Sequence, residues 1–198
     1  MATYARLSVE ERRERLIDLG TRLFSTRAYD EISIEEIAQA AGMSKGLLYH
    51  YFASKRDFYV ACVRQSSIEL RNATSPDPRL APRAQMRVGL KAYLDLVQAN
   101  LARSRAFVSG GIGADPEVTA ITEETRRINT ENVLRGIDAR DDERLLRIGV
   151  RAWISFAEIA AIKWAEAGGG DQAELIDILL AALAAIVRRS RAPAARRA

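Results

Sequence analysis

The sequence predicts an all-α protein of about nine helices, because apolar residues recur three or four positions apart along almost the whole chain. No segment has the alternating apolar and polar pattern of a β-strand. Proline, glycine and aspartate cluster between the helical segments, as in residues 72–82 and 168–171, where they favour turns and helix starts. Together these observations predict helices joined by loops, without a β-sheet.

The most distinctive local pattern is a pair of short helices in residues 33–55. Ser33 followed by Glu36 is a capping-box pattern, in which the Ser side chain accepts a hydrogen bond from a helix N–H and the Glu reaches back. Gly42 supplies the turn after the first helix, since a residue without Cβ readily adopts left-handed dihedral angles. The apolar face of that helix consists of Ile34, Ile37, Ala38 and Ala41.

The second helix of this pair has one inward and one outward face. Ser44 caps it, and Leu48 and Phe52 lie one turn apart, so their side chains point to the same buried side. Two short helices joined by a tight turn with Gly are typical of the helix-turn-helix, whose second helix enters the major groove of DNA. We therefore expect DNA contacts from residues that face outward or start a helix: Ser33, Ser44, Lys45, Gly46, Leu47, Tyr49, His50 and Lys55.

Several of these positions have a physical reason to lie near phosphate. Lys45 and Lys55 are at helix amino ends, where backbone N–H groups and the macrodipole already favour an anion. Gly46 costs roughly 1 kcal/mol of helix stability relative to Ala, and we expect its use to be close approach to a phosphate. Tyr49 is expected to contact phosphate from an outward flank, with a purely structural role as the alternative.

The residues from Ile37 to Lys55 read Ile-Ala-x-x-Ala-Gly-Met-Ser-Lys-Gly-x-Leu-Tyr-x-x-Phe-x-x-Lys, which resembles the TetR family of bacterial transcriptional regulators. The resemblance extends back through residues 12–29. It implies an N-terminal three-helix DNA-binding domain, residues 1–55, and a larger C-terminal helical domain for ligand binding and dimerisation, residues 56–198.

Three positions depart from the family pattern. Ala28 stands where a Gly commonly ends the first helix, so either the Ala is held in a strained left-handed conformation or the turn differs. Gly20 replaces a common Ala inside that helix. Leu47 occupies a place where a small hydroxyl residue is frequent, and it offers an apolar face to a thymine methyl in exchange for a phosphate contact.

Helical patterns continue to the end of the chain. Ser54 caps the helix that follows the motif, and residues 72–82 form a proline-rich loop before a helix that starts at Pro82 and runs through Leu101. The later boundaries are a glycine break at Gly110, Gly111 and Gly113, a start at Asp115–Pro116, another at Asp141 or Asp142, a stop at Gly168–Gly170 and a last start at Asp171.

The last two helices each have two adjacent apolar stripes, which predicts burial on two sides. We expect one side to serve the subunit core and the other a partner. The resemblance implies that these helices pair across a twofold axis as a four-helix bundle. The candidate interface residues are Leu145, Ala152, Ile176, Leu180, Leu183 and Val187.

Aromatic residues of the larger domain are candidates for a ligand cavity between helices, since such cavities are mostly apolar. The candidates are Tyr93, Phe107, Asn129, Trp153 and Phe156, with Glu158 or Lys163 as further polar groups. The alternative is that these aromatic side chains simply fill the core.

Composition excludes several classes of function. Cys62 is the one cysteine, which rules out an intramolecular disulfide and is compatible with the cytoplasm. His50 is the one histidine, which argues against a multi-His metal site, and we see no nucleophile–base pair typical of an enzyme. No signal peptide is recognisable, and the longest apolar run, residues 178–187, is too short to span a bilayer. We expect no metal, no cofactor and no membrane partner.

The net charge of +4 says little about nucleic acid, because cations and anions balance within residues 1–55 and any positive face requires their segregation. The prediction is a cytoplasmic homodimeric repressor that binds a palindromic double-stranded DNA operator and is released by a small apolar or amphipathic effector. An activator or a ligand-independent regulator of the same fold is the alternative. An all-helical small-molecule carrier without DNA binding is the alternative of another class.

Overall fold

In a computed structural model, the described residues are 8–108 and 115–191, and within them the chain is entirely helical, with nine α-helices, one 3-10 turn (Tyr29–Glu31) and no strand. The prediction of an all-α fold is confirmed. The predicted glycine break at Gly110, Gly111 and Gly113 lies outside the described residues. The helices are α1 (Val9–Thr26), α2 (Ile34–Ala40), α3 (Lys45–Tyr51), α4 (Lys55–Ala73), α5 (Pro82–Ala99), α6 (Leu101–Val108), α7 (Pro116–Gly136), α8 (Arg144–Glu166) and α9 (Gln172–Arg191).

Local hydrogen bonds explain where the N-terminal helices start. The hydroxyl of Ser33 accepts from the backbone N–H of Glu36 at 3.1 Å, and the Glu36 carboxylate accepts from the backbone N–H of Ser33 at 2.7 Å, which completes the predicted capping box. Ser44 caps α3 by accepting from the backbone N–H of Leu47 at 3.2 Å. A second capping box with the same Ser-x-x-Glu spacing, formed by Ser8 and Glu11, starts α1.

Later boundaries agree with the sequence in part. Asp115 caps α7 by accepting from the backbone N–H groups of its first turn, and Pro82 is the first residue of α5, as predicted. The apolar pattern predicted one helix through Leu101, but α5 ends at Ala99 and α6 starts anew because Asn100 leaves the helical conformation. The predicted start of α8 at Asp141 or Asp142 is wrong, since that helix begins at Arg144.

The described residues divide into two compact units, one of residues 8–68, 102–108 and 115–121 and one of residues 69–101 and 122–191. The sequence predicted a single boundary after Lys55. Contacts instead keep most of α4, together with α6 and the start of α7, in the first unit. Each unit contains segments that are distant in sequence, which no single boundary in the chain can describe.

The first unit has an aromatic and aliphatic core beneath α1–α4. Gly20 allows α1 and α4 to approach closely, because a Cβ at this position would lie 2.3 Å from Cζ of Phe58 and 2.6 Å from Sγ of Cys62. The Cys62 side chain is buried in the same place. The most deeply buried side chains of this core are Ile32, Ile37, Leu48, Phe58 and Val118.

The exit from α1 resolves the departure at Ala28. Its φ of −69° and ψ of 157° are extended, so the alternative with a different turn is the correct one and no left-handed strain arises. The chain continues as a 3-10 turn, where the Glu31 carboxylate accepts from the backbone N–H of Ala28 at 3.0 Å. This substitution for Gly is therefore compatible with the fold.

In the second unit, α5, α8 and α9 pack against one another. The indole N–H of Trp153 on α8 donates to the backbone carbonyl of Leu179 on α9 at 2.8 Å. The buried face of α8 is the stripe Leu146, Val150, Trp153, Ala157 and Ala161. One of the two predicted stripes of this helix therefore serves the subunit core. No helix within the described ranges combines the length and hydropathy needed to cross a bilayer.

Candidate functional site

A buried hydrophobic anchor fixes the angle between α2 and α3. Ile37 on α2 and Leu48 on α3 are both fully buried, and Phe52 is 4% exposed at the end of α3. Gly42 has a φ of +65° between the two helices, the left-handed conformation that the sequence predicted for the turn. These residues form the helix-turn-helix of the first unit.

The opposite side of α3 is open to solvent. Leu47 and Tyr49 are 38% and 41% exposed, on either side of the buried Leu48. A Cβ at Gly46 would meet nothing within 4 Å. The residues of this surface are Ser44, Lys45, Gly46, Leu47, Tyr49 and His50, all exposed, and the structure brings these predicted residues together.

Lys45, the first residue of α3, brings a positive charge to this surface. Its ammonium donates to the carboxylate of Glu35 on α2 and lies 5.9 Å from the ring centroid of Tyr49. The hydrogen bond raises the pKa of Lys45 and lowers the pKa of Glu35, so both groups are charged at neutral pH. Because both side chains are about half exposed, the pair is weakly held and an incoming phosphate can compete for the ammonium.

Lys55 lies at the amino end of α4, as predicted, but its ammonium is 3.9 Å from the ring centroid of Tyr29. Tyr29 in turn packs edge-on against Tyr59, with ring centroids 5.1 Å apart. Ser33 is exposed at the start of α2, where its hydroxyl already accepts the capping hydrogen bond. Lys55 and Ser33 therefore each have a contact within the protein besides any contact to DNA.

A second ion pair stabilises the start of α2. The guanidinium of Arg27 donates to the carboxylate of Glu36 at 3.0 Å. The backbone N–H of Ser33, the Arg27 guanidinium and the Ser33 hydroxyl together lower the pKa of Glu36 to about 2. Glu36 consequently keeps its charge, and its helix-capping role, far below neutral pH.

The pair of Arg56 and Asp115 was not predicted, because its partners are far apart in sequence. Nε and Nη2 of Arg56 donate to the two carboxylate oxygens of Asp115 at 2.6 and 2.9 Å. This bidentate geometry is the strongest form of arginine–carboxylate contact. Hydrogen bonding to Arg56 holds the pKa of Asp115 below its usual value, and Asp115 also caps α7. The start of α4 is thereby joined to the start of α7 within the first unit.

A cavity of about 130 Å³ lies in the second unit, between α4, α5, α7 and α8. The structure brings the predicted residues Tyr93, Asn129 and Trp153 together in its wall, along with Glu158. Other residues of the wall are Leu70, Thr74, Pro76, Pro82, Gln85, Met86, Gly89, Asn132, Val133, Gly136, Ile154 and Ala157. The wall is mostly apolar with a few polar groups, which is typical of a small-molecule site.

Glu158 of this wall forms a largely buried ion pair with Arg126, which does not itself line the cavity. Nε of Arg126 donates to both carboxylate oxygens of Glu158, at 2.9 and 3.1 Å, and Glu158 is 7% exposed. Burial raises the pKa of Glu158, and the nearby Arg126 opposes that rise. The pKa of Tyr93 is also raised, first by burial and second by the negative charge of Glu158, so its hydroxyl keeps its proton.

Three other residues predicted for the cavity lie elsewhere, and those assignments need correction. Phe107 packs against the core of the first unit, near Phe24 and Tyr59. Phe156 is on the opposite side of α8 from the cavity and is 46% exposed. Lys163 is exposed and donates to Glu166 at 2.8 Å.

An exposed apolar stripe runs along α8 and consists of Leu145, Ile148, Ala152, Phe156 and Ile159. It contains the predicted interface residues Leu145 and Ala152. On α9 the predicted residues Ile176, Leu180 and Leu183 are instead buried in the subunit core, and Val187 is half-buried. The assignment on α9 therefore needs correction: the large apolar side chain that this helix exposes is Ile178, which is 52% exposed.

Comparisons with known proteins agree with this architecture. A family model of bacterial regulatory proteins of the tetR family matches residues 16–62, and a tetracyclin repressor-like C-terminal domain matches residues 82–186. The solved structure of a TetR-family transcriptional regulator from Streptomyces coelicolor is 34% identical, has a TM-score of 0.85, and covers 93% of this chain and 83% of that chain. The fold and these matches define a helix-turn-helix transcriptional regulator.

The chain belongs to the TetR family of bacterial regulatory proteins, as the sequence predicted. The HTH-type transcriptional activator FasR from Mycolicibacterium smegmatis is 28% identical over 58% of this chain, and the match spans 53% of the length of that relative, about half. AibR, solved in complex with isovaleryl coenzyme A and operator DNA, is 16% identical with a TM-score of 0.63, covers 87% of this chain and 98% of that chain, and shows likeness of fold alone.

Proposed function

We propose that this protein is a homodimeric, cytoplasmic repressor that binds a palindromic DNA operator and is released by a small molecule in the cavity of the second unit. The observation that carries the proposal is the exposed surface of α3, on which Lys45, Gly46 and Tyr49 lie together opposite a buried anchor. A recognition helix needs this arrangement, since one face must pack and the other must enter the major groove.

The DNA contacts follow from the chemistry of that surface. Lys45 would replace its weak ion pair with Glu35 by an ion pair with a phosphate, and the hydroxyl of Tyr49 would donate a hydrogen bond to a neighbouring phosphate. Gly46 would let the backbone of α3 approach the DNA closely, because no side chain intervenes. Leu47 would contact a thymine methyl in the major groove.

Dimerisation would use the exposed apolar stripe of α8 together with Ile178 of α9. A row of large apolar side chains exposed to about half of their area is costly in water, and a second copy of the same stripe would bury it. A twofold dimer places two recognition helices on half-sites about 34 Å apart, or at a longer related spacing. Palindromic operators have this symmetry.

Release by a ligand requires that the ligand bind one dimer geometry better than the other. Typical coupling energies of about 1–3 kcal/mol would weaken DNA binding roughly 5- to 150-fold. Leu70 and Thr74, near the carboxyl end of α4, line the cavity, and the amino end of this helix follows the helix-turn-helix. We propose that α4 is the element through which the ligand acts on DNA binding.

The first test is fluorescence-anisotropy binding to the DNA that flanks its own gene, measured over a salt series. We expect binding at least about a thousandfold tighter than to unrelated DNA. The double variant Lys45→Ala/Tyr49→Ala would bind more weakly, and its salt slope would be smaller by about 0.9 for each phosphate that the protein no longer neutralises. Lys91→Ala, which removes an exposed lysine of α5, is the matched control and would leave binding unchanged.

Equal, weak binding to every DNA fragment in a genome-wide selection would contradict the proposal and favour a carrier without DNA contacts. An activator is the second candidate, because the relative FasR is named as one. Transcription in vitro from the bound promoter separates the two: a repressor lowers transcript yield when added, and an activator raises it.

A further inference from the structure

The charge of the cavity wall restricts which molecules fit inside. Among the described residues that line the cavity, Glu158 is the one charged side chain, and neither Lys nor Arg is present. An anionic ligand would therefore meet a carboxylate and no lining cation. Removing a charged group from water without a partner of opposite sign is strongly unfavourable, so this wall disfavours anions.

The carboxylate of Glu158 has hydrogen-bonding capacity to spare. One N–H of Arg126 is shared between its two oxygens, whereas an ionised carboxylate offers about four lone-pair sites. Arg126 also supplies the compensating charge, which allows the carboxylate to remain in a buried wall. A hydrogen-bond donor on a ligand could therefore bind a remaining lone-pair site of the Glu158 carboxylate without competing with Arg126.

Two neutral side chains of the same wall add to this site. Tyr93 and Asn129 line the cavity, and neither side chain forms a hydrogen bond to another described residue. Each of the two side chains can donate as well as accept. The polar part of the cavity therefore suits a ligand group that donates to Glu158 and also exchanges hydrogen bonds with neutral partners.

The volume limits the apolar part of the ligand. An engineered protein cavity of about 150 Å³ binds benzene. The cavity here, about 130 Å³, is similar and is lined on its apolar side by Met86, Val133, Trp153 and Ile154. A single six-membered ring or a short branched chain fills such a space, whereas a long acyl chain or a coenzyme A moiety exceeds it.

We propose that the cavity binds a compact amphipathic molecule whose ring-sized apolar body carries an N–H or O–H donor directed at Glu158, as in an amine or an alcohol, and that it rejects carboxylates and coenzyme A thioesters. This inference rests on the proposed ligand-responsive function and specifies the chemical class of its effector. The negative charge of Glu158 decides that donors are preferred to anions, and the cavity volume limits the size of the ligand.

The test uses the full-length protein and three probes with the same ring: benzylamine, benzyl alcohol and benzoate, with isovaleryl coenzyme A as a fourth. Isothermal titration calorimetry gives the affinities. We expect benzylamine, benzyl alcohol or both to bind at least about tenfold more tightly than benzoate and isovaleryl coenzyme A. Binding of the amine alone would identify a cationic ligand, and binding of the alcohol alone or of both would identify donation as sufficient. Benzoate or the thioester binding as tightly as the donors, or no probe binding, would overturn the proposal.

Variants of wall residues test whether the cavity wall causes the preference for donor probes. Tyr93→Phe removes a single hydroxyl, and Glu158→Gln removes the charge while keeping an acceptor; each would weaken donor binding by about tenfold. Glu158→Gln would also reduce the difference in affinity between the donor probes and benzoate. Glu124→Gln on α7 is the control, because that carboxylate is exposed and bound to Arg127 away from the wall. If Glu158→Gln fails to fold by circular dichroism, Tyr93→Phe still decides, and an unchanged donor affinity in that variant would overturn the proposed site.

DNA binding is measured separately, so the experiments can refute the proposed ligand class and the proposed regulator independently. Release of DNA by benzoate or the thioester, with no effect of the donors, would refute the ligand class and leave the ligand-responsive regulator intact. Donor binding that depends on Glu158 in a protein without any specific DNA site would support the cavity chemistry and refute the regulator.

Discussion

Gly46→Ala separates the stability of α3 from its affinity for DNA. An added methyl at this position meets no atom of the protein within 4 Å. Because Ala is a better helix former than Gly, the variant should be more stable by about 0.5–1 kcal/mol. The same methyl would stand between the α3 backbone and a phosphate. Losing one hydrogen bond to a charged group costs about 1.5–3 kcal/mol, which corresponds to roughly 10- to 150-fold weaker DNA binding.

Gly20→Ala is the control, since it makes the same chemical change inside α1. Its Cβ would lie 2.3 Å from Cζ of the buried Phe58, so packing must rearrange. Overpacking of this kind typically costs about 1–3 kcal/mol, which exceeds the gain in helix propensity of about 1 kcal/mol. We therefore expect a net loss of up to about 2 kcal/mol and a fall in Tm of about 2–4 °C per kcal/mol.

Urea unfolding and fluorescence anisotropy on one operator fragment provide both readouts for both variants. Wild-type DNA affinity in Gly46→Ala would refute the close approach of α3 to phosphate, whatever its stability. A Gly20→Ala protein more stable than wild type would refute the tight crossing of α1 and α4.

Three further predictions concern association, charge and pH. Ile159→Glu should weaken dimer formation by more than about tenfold in analytical ultracentrifugation, since it buries a charge, while Val88→Glu on the equally exposed surface of α5 should not. Glu35→Gln should strengthen DNA binding in anisotropy titrations, because it frees Lys45 and removes an anion from the α3 surface; unchanged affinity would show that the pair does not compete with phosphate. Hydrogen bonds lower the pKa of Glu36 from 4.5 to about 2, so its stabilising effect is present above pH 4.5 and is lost as pH falls toward 2. Thermal unfolding of Glu36→Gln, which keeps a capping acceptor, should accordingly lose less stability than wild type between about pH 5 and pH 3, and parallel losses would contradict this account.

The helix-turn-helix could be predicted in detail because its determinants are local. The capping box of Ser33 and Glu36 spans four residues, and the turn passes through the left-handed conformation of Gly42. The anchor residues Leu48 and Phe52 are one helical turn apart, so the helical period alone assigned them to the buried side. Interactions within a few residues of chain leave little for tertiary structure to change.

The second unit was predicted less well because its assignments depend on neighbouring helices. On α9 two apolar stripes are adjacent, and the sequence does not say which one the subunit covers. Packing against α5 and α8 buries Ile176, Leu180 and Leu183 and leaves Ile178 exposed. The pair of Arg126 and Glu158 joins residues on different helices, so no spacing rule could have found it.

The tight crossing at Gly20 has a consequence for Cys62, whose thiol lies directly beneath it. As the one cysteine of the sequence, it is an intrinsic chemical reporter that needs no introduced label. Because Cys62 is buried, a thiol-alkylating reagent reaches its sulfur through a local opening of the first unit, so the labelling rate measures the free energy of that opening. An operator that binds the closed form of this unit should slow the labelling in proportion to its occupancy. The labelling rate of Cys62 would thus report operator binding without an introduced label.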